Sequence, residues 1–240
     1  MVWILGGSSG LGLELAGVAE NRGVNTLILG RHRANIGIDL SDTLEVEEYC
    51  NHLYVCNPIV IKNMDCFIWN ASVMDYGSAD SVDPMRMLEI NITNPTSILR
   101  ALVARKKELK SCLHLVTISS VASWKARAYM AVYAATKSYQ AQLSRCLALE
   151  LERDLPGSKV TVVMPAGMNT GIFKGSGVDA SKFMDPKKVA EIIWDNVLGQ
   201  KSVYDEFNIL RKEEKPVLSR KRFAPGLAHD ELPRYNPPRS

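Results

Sequence analysis

Six short runs of this 240-residue chain are apolar at nearly every position, so each offers apolar side chains to both faces of a strand. They are Val2–Leu5, Thr26–Leu29, Ile36–Ile38, Cys66–Trp69, Leu113–Ile118 and Val160–Met164. Parallel strands covered by helices on both sides need that pattern; strands with one wet face alternate instead. Amphipathic stretches of helical period lie between most of the runs: Leu11–Asn21, Thr43–Leu53, Pro84–Glu108, Ala128–Arg153 and Pro186–Leu198. Asp42 and Glu45 stand at capping-box spacing, and Asp185 with Pro186 suits an N-cap and a first helical position. The alternation predicts an α/β fold of three layers, a doubly wound parallel sheet forming one domain over residues 1–200.

Two places break the rhythm. Only six residues, Gly30–Asn35, separate the second and third runs, whereas a parallel crossover needs a dozen or more. The second crossover helix therefore reads as deleted, and the third strand as a short edge or one reached by an extended loop. Residues 201–240 read as a C-terminal extension. From about Arg211 it becomes a basic arm or flexible tail, with Pro216, Pro225, Pro233, Pro237 and Pro238 and no clear period.

Charge excludes some functions. The net charge is +3, and residues 211–240 alone hold eight Lys/Arg against four Asp/Glu. The body before them is near neutral, so nucleic acid is not an expected partner, and the extension's few aromatics give little to stack bases on. The five cysteines form no CxxC pair and the four histidines are scattered, which predicts reduced thiols and no metal site. The opening MVWIL runs straight into glycines, unlike a signal peptide, and no stretch of 18 apolar residues occurs. A cytoplasmic protein without a membrane span is expected.

The first run leads directly into Leu5-Gly6-Gly7-Ser8-Ser9-Gly10-Leu11-Gly12 and then into a helix. Gly6 permits a tight turn, Gly10 lets the backbone approach a phosphate, and Gly12 allows close helix-to-strand packing. The helix N-terminus turns free N–H groups and positive dipole toward an anion, and Ser8 and Ser9 add hydroxyls. A strand, a glycine turn and a helix in that order make the sheet Rossmann-like and point to a dinucleotide. An acid that would accept from a ribose 2′-OH is missing after the second run. The residues there are Arg31-His32-Arg33. Arg31 can pair with a 2′-phosphate, which favours NADP(H) over NAD.

Tyr133 and Lys137 sit four residues apart, on one helical face, and Ser120 lies at the end of the fifth run. Delivering a proton to a developing alkoxide near neutral pH is hard for a free phenol, whose pKa is about 10. A neighbouring ammonium stabilises phenolate and is expected to lower that value, and an oxidised nicotinamide ring acts in the same direction. Ser120 can hold the reacting oxygen.

With these residues in place the chain resembles the short-chain dehydrogenase/reductase family from Met1 to about Gln200. Gly6, Gly10 and Gly12 match its TGxxxGxG, with Leu5 in place of threonine. Asp39-Leu40 matches the acidic dipeptide that contacts adenine, and Trp69-Asn70-Ala71-Ser72 occupies the NNAG position. Asn91, Ser120, Tyr133 and Lys137 match the family tetrad, and Pro165-Ala166-Gly167-Met168-Asn169-Thr170 matches PGxxxT. The resemblance implies Tyr133 as general acid/base, Lys137 as ribose ligand and tuner of Tyr133, Ser120 as orienter of the carbonyl and Asn91 as anchor of a relay water. It implies that Pro165, Met168 and Thr170 hold the carboxamide. Leu5, Trp69, Ser72 and Ala166 depart from the family motifs, and Trp69 raises the question of how its loop is braced.

The implied activity is an NADP-dependent oxidoreductase interconverting a carbonyl and a secondary alcohol. The alternative is a catalytically silent NADP-binding sensor or scaffold. Epimerisation of a nucleotide sugar is disfavoured because the extension is too short for a substrate domain. Gly171–Asp185 would cover the substrate, with Ile172, Phe173, Phe183 and Met184 as apolar candidates, and Trp124, Tyr129, Met130 and Met168 are further lining candidates. The family also implies a homodimer or homotetramer, paired through the helices at 84–108 and 128–153.

Overall fold

Each apolar run becomes a strand. In the computed structural model, which describes residues 1–220, seven strands are parallel: β1 (Val2–Leu5), β2 (Thr26–Gly30), β3 (Ile36–Gly37), β4 (Cys66–Trp69), β5 (His114–Ile118), β6 (Lys159–Pro165) and β7 (Tyr204–Lys212). An eighth, β8 (Lys215–Ser219), runs antiparallel to β7. The order across the sheet is β3-β2-β1-β4-β5-β6-β7-β8. The helices are α1 (Gly10–Asn21), α2 (Thr43–Val55), α3 (Pro58–Lys62), α4 (Met85–Leu88), α5 (Asn94–Glu108), α6 (Ala131–Asp154) and α7 (Pro186–Gly199).

Strand alternation divides the core into two layers. Val2 and Ile4 of β1 pack with Leu11 and Leu15 of α1 and Val189 and Ile193 of α7. Trp3 and Leu5 turn to the opposite face, with Leu53 of α2, Leu102 of α5 and Leu151 of α6. Burying one such leucine or isoleucine contributes about 1.5–3 kcal/mol. Trp194 locks α7 to α1 by donating from Nε1 to the Leu15 carbonyl at 2.8 Å. No helix among the described residues is long and apolar enough to cross a membrane.

The deleted crossover is visible. β3 pairs in parallel with β2 through Leu29↔Ile36 and Gly30↔Gly37, and no helix lies between them. Asn35 makes the short link work: its Oδ1 accepts from Ile28 N at 2.8 Å, and its own N–H donates to Ile28 O at 3.0 Å. Arg33 takes a left-handed φ of 49° to complete the turn. At α2, Asp42 caps as expected, accepting from Leu44 N at 3.0 Å and Glu45 N at 3.1 Å. Glu45 does not complete the reciprocal box; its Oε2 accepts from Asp39 N at 3.1 Å and ties that turn to the helix.

Two readings need correction. The helix expected over 84–108 is interrupted by a π-helical turn, Glu89–Thr93, between α4 and α5. The arm read from Arg211 begins inside β7, and its first residues form the β7–β8 hairpin. Glu213 and Glu214 turn this hairpin at φ of 50° and 64°, both left-handed as a type I′ turn demands. Glycine or asparagine normally signals such a turn, and neither is present. The remainder of the arm, 221–240, lies outside the described residues.

Candidate active site

Strand order reverses between β1 and β4, and at such a reversal the carboxyl ends of the strands leave a crevice. A cavity of about 1400 Å³ opens there. It is lined by Gly6, Ser8, Ser9, Gly10, Leu11, Arg31, Asp39, Leu40, Asn70 and Ala71 toward β2, and by Ser120, Tyr133, Lys137, Pro165, Met168 and Thr170 toward β6. Gly12 and Asn91 are buried behind its wall.

The glycine loop is shaped by contact with β4. Gly6 has φ +81°, and a Cβ there would come within 2.6 Å of Ala71 Cα. A Cβ on Gly12 would lie 2.0 Å from the Gly6 carbonyl oxygen. Asn70 braces the turn: its Nδ2 donates to Gly6 O at 2.8 Å, while Asn70 N and Ala71 N both donate to Leu5 O. That answers the question raised by Trp69, which is fully buried in the core and leaves the bracing to its neighbour. Ser9 is the N-cap of α1, its side chain caps nothing, and the first turn holds no acid. The positive end of a 12-residue helix thus faces the cavity uncompensated, as an anion-binding loop requires.

At the β2 end, Arg31 is half exposed, with Nη1 3.9 Å from Asp39 Oδ2. Burial pushes the Asp39 carboxyl up, but hydrogen bonds from Ser41 and the charges of Arg31 and His32 outweigh it, and the group sits below its usual value.

Ser120 follows β5 and caps a single 3₁₀ turn, accepting from Ala122 N at 3.1 Å. Tyr133 and Lys137 are buried on α6, with Lys137 Nζ 5.7 Å from the Tyr133 ring centroid. Ser119 fixes the helix against the strand by donating to Lys137 O at 2.7 Å. Burial pushes the Tyr133 phenol up to about 12, partly offset by a hydrogen bond with Ser120. Burial alone pushes the Lys137 ammonium down to about 7. The lowering of the phenol expected from Lys137 is not found in the protein itself, where a low-dielectric wall disfavours phenolate and ammonium alike. A neutral phenol beside an amine that titrates near neutrality is the result.

Asn91 sits in the π-helical turn, a feature often associated with functional sites. Its side chain is consumed inside the protein. Oδ1 accepts from Val73 N at 2.8 Å, and Nδ2 donates to Val73 O at 2.8 Å and Thr136 Oγ1 at 3.1 Å. Its backbone carbonyl accepts from Gln140 Nε2 at 2.8 Å, and Gln140 Oε1 accepts from Lys137 Nζ at 3.0 Å. Lys137 also donates to Ile118 O at 3.0 Å. The expected water anchor is thus tied to Lys137 through a side-chain amide. Sequence reasoning missed Gln140, which as one polar residue on a long helix gives no signal of its own.

The far end of the cavity is apolar around Tyr133, which packs with Met74, Met87 and Ala122 and with the half-buried Met130, Ile172 and Phe173. Trp124, Met130, Met168 and Phe183 line the cavity as expected. Tyr129 does not; its ring lies 5.8 Å from that of Tyr76, tilted by 45°, and its φ is a left-handed 63°. Met184 does not cover the site either, because its bridge to Met168 draws it fully into the core. Gly175 and Gly177, both at positive φ, lie in the segment expected to cover the substrate.

Comparison with known proteins fits this geometry. The sequence pattern of the family described as short chain dehydrogenase matches residues 1–180. An uncharacterized oxidoreductase of Staphylococcus haemolyticus is 27% identical over 207 residues, 79% of this chain and 87% of that protein. The 1-deoxy-11-beta-hydroxypentalenate dehydrogenase of Streptomyces arenae is 23% identical and aligns with 98% of this chain and 90% of its own. Among solved structures, a short-chain dehydrogenase from Sphingobium yanoikuyae in complex with NADPH superposes with a TM-score of 0.70. It is 22% identical and covers 85% of this chain and 86% of its own.

Proposed function

The chain belongs to the short-chain dehydrogenase family and is an oxidoreductase that takes a nicotinamide cofactor; from that premise we propose that it interconverts a carbonyl and a secondary alcohol with NADP(H), using Tyr133 as proton donor and acceptor. The observation that carries the reading is the meeting of Ser120, Tyr133 and Lys137 in the same cavity as the glycine loop. The loop from Gly6 to Gly12 would hold the pyrophosphate, Arg31 the 2′-phosphate, and Asp39 and Leu40 the adenine. Asn70 and Ala71 would border the ribose, Lys137 would hold its hydroxyls, and Pro165, Met168 and Thr170 the carboxamide. The cradle suits such a group, since Cβ atoms at Gly6 and Gly12 would collide with the loop's own supports.

When bound, the cofactor supplies a hydride to the carbonyl carbon or accepts one from the alcohol. The chain's own residues handle the proton. Ser120 donates to the carbonyl oxygen and fixes its position. The Tyr133 phenol, held neutral by burial, releases its proton to that oxygen as negative charge develops there. Protonated Lys137 then stabilises the phenolate left behind, and its placement depends on Ile118 and Gln140. Oxidation of an alcohol runs the same transfer in reverse.

The relatives' names bear on the substrate class: the Streptomyces arenae protein is named as the dehydrogenase of a hydroxylated compound. Pairing through α5 and α6 into a dimer or tetramer belongs to the same reading, and a monomeric mass in light scattering would count against it. The five cysteines are all free, which suits a cytoplasmic setting.

The test is a panel of aldehydes, ketones and secondary alcohols assayed with NADP(H) and NAD(H), for the natural chain, Tyr133→Phe and Arg31→Asp. Tyr133→Phe is expected to lower kcat by about 10²–10⁴-fold. Arg31→Asp is expected to weaken NADPH binding far more than NADH binding. Tight NADPH binding with no turnover of any panel member, and no effect of Tyr133→Phe, would favour the silent sensor.

A further inference from the structure

The cavity is far more basic than the chain that forms it. Eight lysines and arginines line it against two aspartates, although the whole sequence holds 29 basic and 26 acidic residues. Part of that excess has evident work. Arg31 and Arg33 stand at the β2 end, Arg86 pairs with Asp75 at 2.7 Å, and Lys137 is held by Ile118 and Gln140. Lys125, Arg127, Lys174 and Arg211 are left.

These four belong to the segments around Tyr133. Lys125 and Arg127 lie between Ala122 and Met130, and Lys174 follows Ile172 and Phe173; all four flanking apolar residues pack in the Tyr133 cluster. Arg211 is the last residue but one of β7, two residues beyond the Pro165↔Ile209 pair, and its guanidinium lies 5.0 Å from the Phe183 ring centroid. Among the described residues none of the four has a carboxylate partner. The side chains of Lys125, Arg127 and Lys174 are exposed and make no hydrogen bond there, and the Arg211 guanidinium donates only to Lys182 O at 3.1 Å.

Solvated surface charges ordinarily alternate in sign, which keeps local fields small. A cleft lined by one sign, with low-dielectric walls, focuses its field on what enters. Here the wall next to the phenol is apolar and the rim above it is cationic. Resting on the proposed oxidoreductase reading, we infer that the substrate is an amphipathic carbonyl or alcohol compound. Its apolar body lies against Met74, Met130, Ile172 and Phe173, and its anionic group, a carboxylate or a phosphate, is received by Lys125 and Arg127 together with Lys174. The reacting oxygen then lies at Ser120 and Tyr133, and the charge stays at the wet rim, where binding it costs little desolvation.

The test uses the full chain with NADP and three probes: 4-formylbenzoate, its methyl ester, and 4-formylphenyl phosphate. Calorimetric titration reads binding whether or not turnover occurs. Either anion is expected to bind about tenfold tighter than the ester at low ionic strength. That ratio should shrink in roughly 0.5 M salt, where the Debye length is only a few ångströms. In Lys125→Gln/Arg127→Gln it should fall toward one, and the better of the two anions names the group. Equal binding of acid and ester, binding of no probe, or a double variant that loses NADPH affinity while keeping the ratio, each overturns the inference. Turnover of ester and acid at equal kcat/KM in a parallel assay with NADPH as hydride donor, abolished by Tyr133→Phe, overturns it while leaving the oxidoreductase reading intact.

Discussion

The side-chain amide of Gln140 stands between Lys137 and Asn91, 3.0 Å from the lysine Nζ and 2.8 Å from the backbone carbonyl oxygen. It is one of two groups that hold the ammonium at its depth; Ile118 O is the other. Removing it in Gln140→Leu leaves a buried charge with half its hydrogen bonds. A hydrogen bond to a charged group is worth about 1.5–3 kcal/mol, so kcat is expected to fall at least about tenfold. The Lys137 ammonium should also lose its proton at lower pH, moving the alkaline limb of the pH–rate profile downward. Gln140→Glu supplies a carboxylate and should move that limb upward. A profile that moves in neither variant would reduce Gln140 to a packing residue.

Two glycines of α1 should respond oppositely to alanine. At Gly12 the new Cβ meets Gly6 O at 2.0 Å and Asn70 Nδ2 at 2.6 Å, both parts of the braced turn. Overpacking of this kind costs about 1–3 kcal/mol, and Gly12→Ala should lower both Tm and NADPH affinity. At Gly17 nothing lies within 4 Å of the added atom. Gly17→Ala is expected to gain about 0.4–1 kcal/mol and to leave NADPH affinity unchanged. Thermal melts and cofactor titrations of the two variants check this.

His114 should make the fold sensitive to acid. Its ring is half-buried, with Nε2 2.7 Å from Thr161 Oγ1. Burial, reinforced by Lys159, pushes its pKa down to about 4. The neutral ring is the folded form, so its contribution is whole above the ordinary value of 6.5 and is lost as pH falls toward 4. By pH 5 the loss amounts to about 2 kcal/mol. Urea unfolding at neutral pH and near pH 5 should show that loss in the natural chain and a flatter response in His114→Asn.

Lys137 has the same sign in a higher window. Its ammonium is pushed from 10.5 down to about 7, so the folded state binds fewer protons than the unfolded state between those values. Its burden on stability is full below pH 7 and lifts as pH rises. The stability of the natural chain relative to Lys137→Met should therefore increase from pH 7 to 10. A constant difference across that range would mean that the amine is not depressed in the folded protein.

The parts of the architecture legible in the sequence are those whose cause is local. β1, β4 and β5 are apolar on both faces, and a covered parallel sheet leaves no other pattern. Gly6, Gly10 and Gly12 mark a turn that only glycine can line, and Tyr133 with Lys137 reports one face of one helix. What escaped depends on partners far away in the chain. Gln140 acquires its meaning only when β5 and the π-helical turn bring Ile118 and Asn91 to it. The cationic rim is scattered from Lys125 to Arg211 and gathers only when the sheet is built. The β7–β8 hairpin was hidden by two glutamates in backbone positions where glycine and asparagine are the usual sign.

That hairpin also limits how two copies of the chain can meet. β7 is bonded on one side to β6 and on the other to β8, so it has no free edge to lend to a neighbour. A sheet continued across a subunit boundary would have to be grown from β8, where Pro216 has no N–H to give and Lys215 brings charge. At the opposite margin β3 offers two residues, Ile36 and Gly37, too little backbone for a template. Among the described residues, the sheet is thus poorly suited to strand-to-strand growth at either margin.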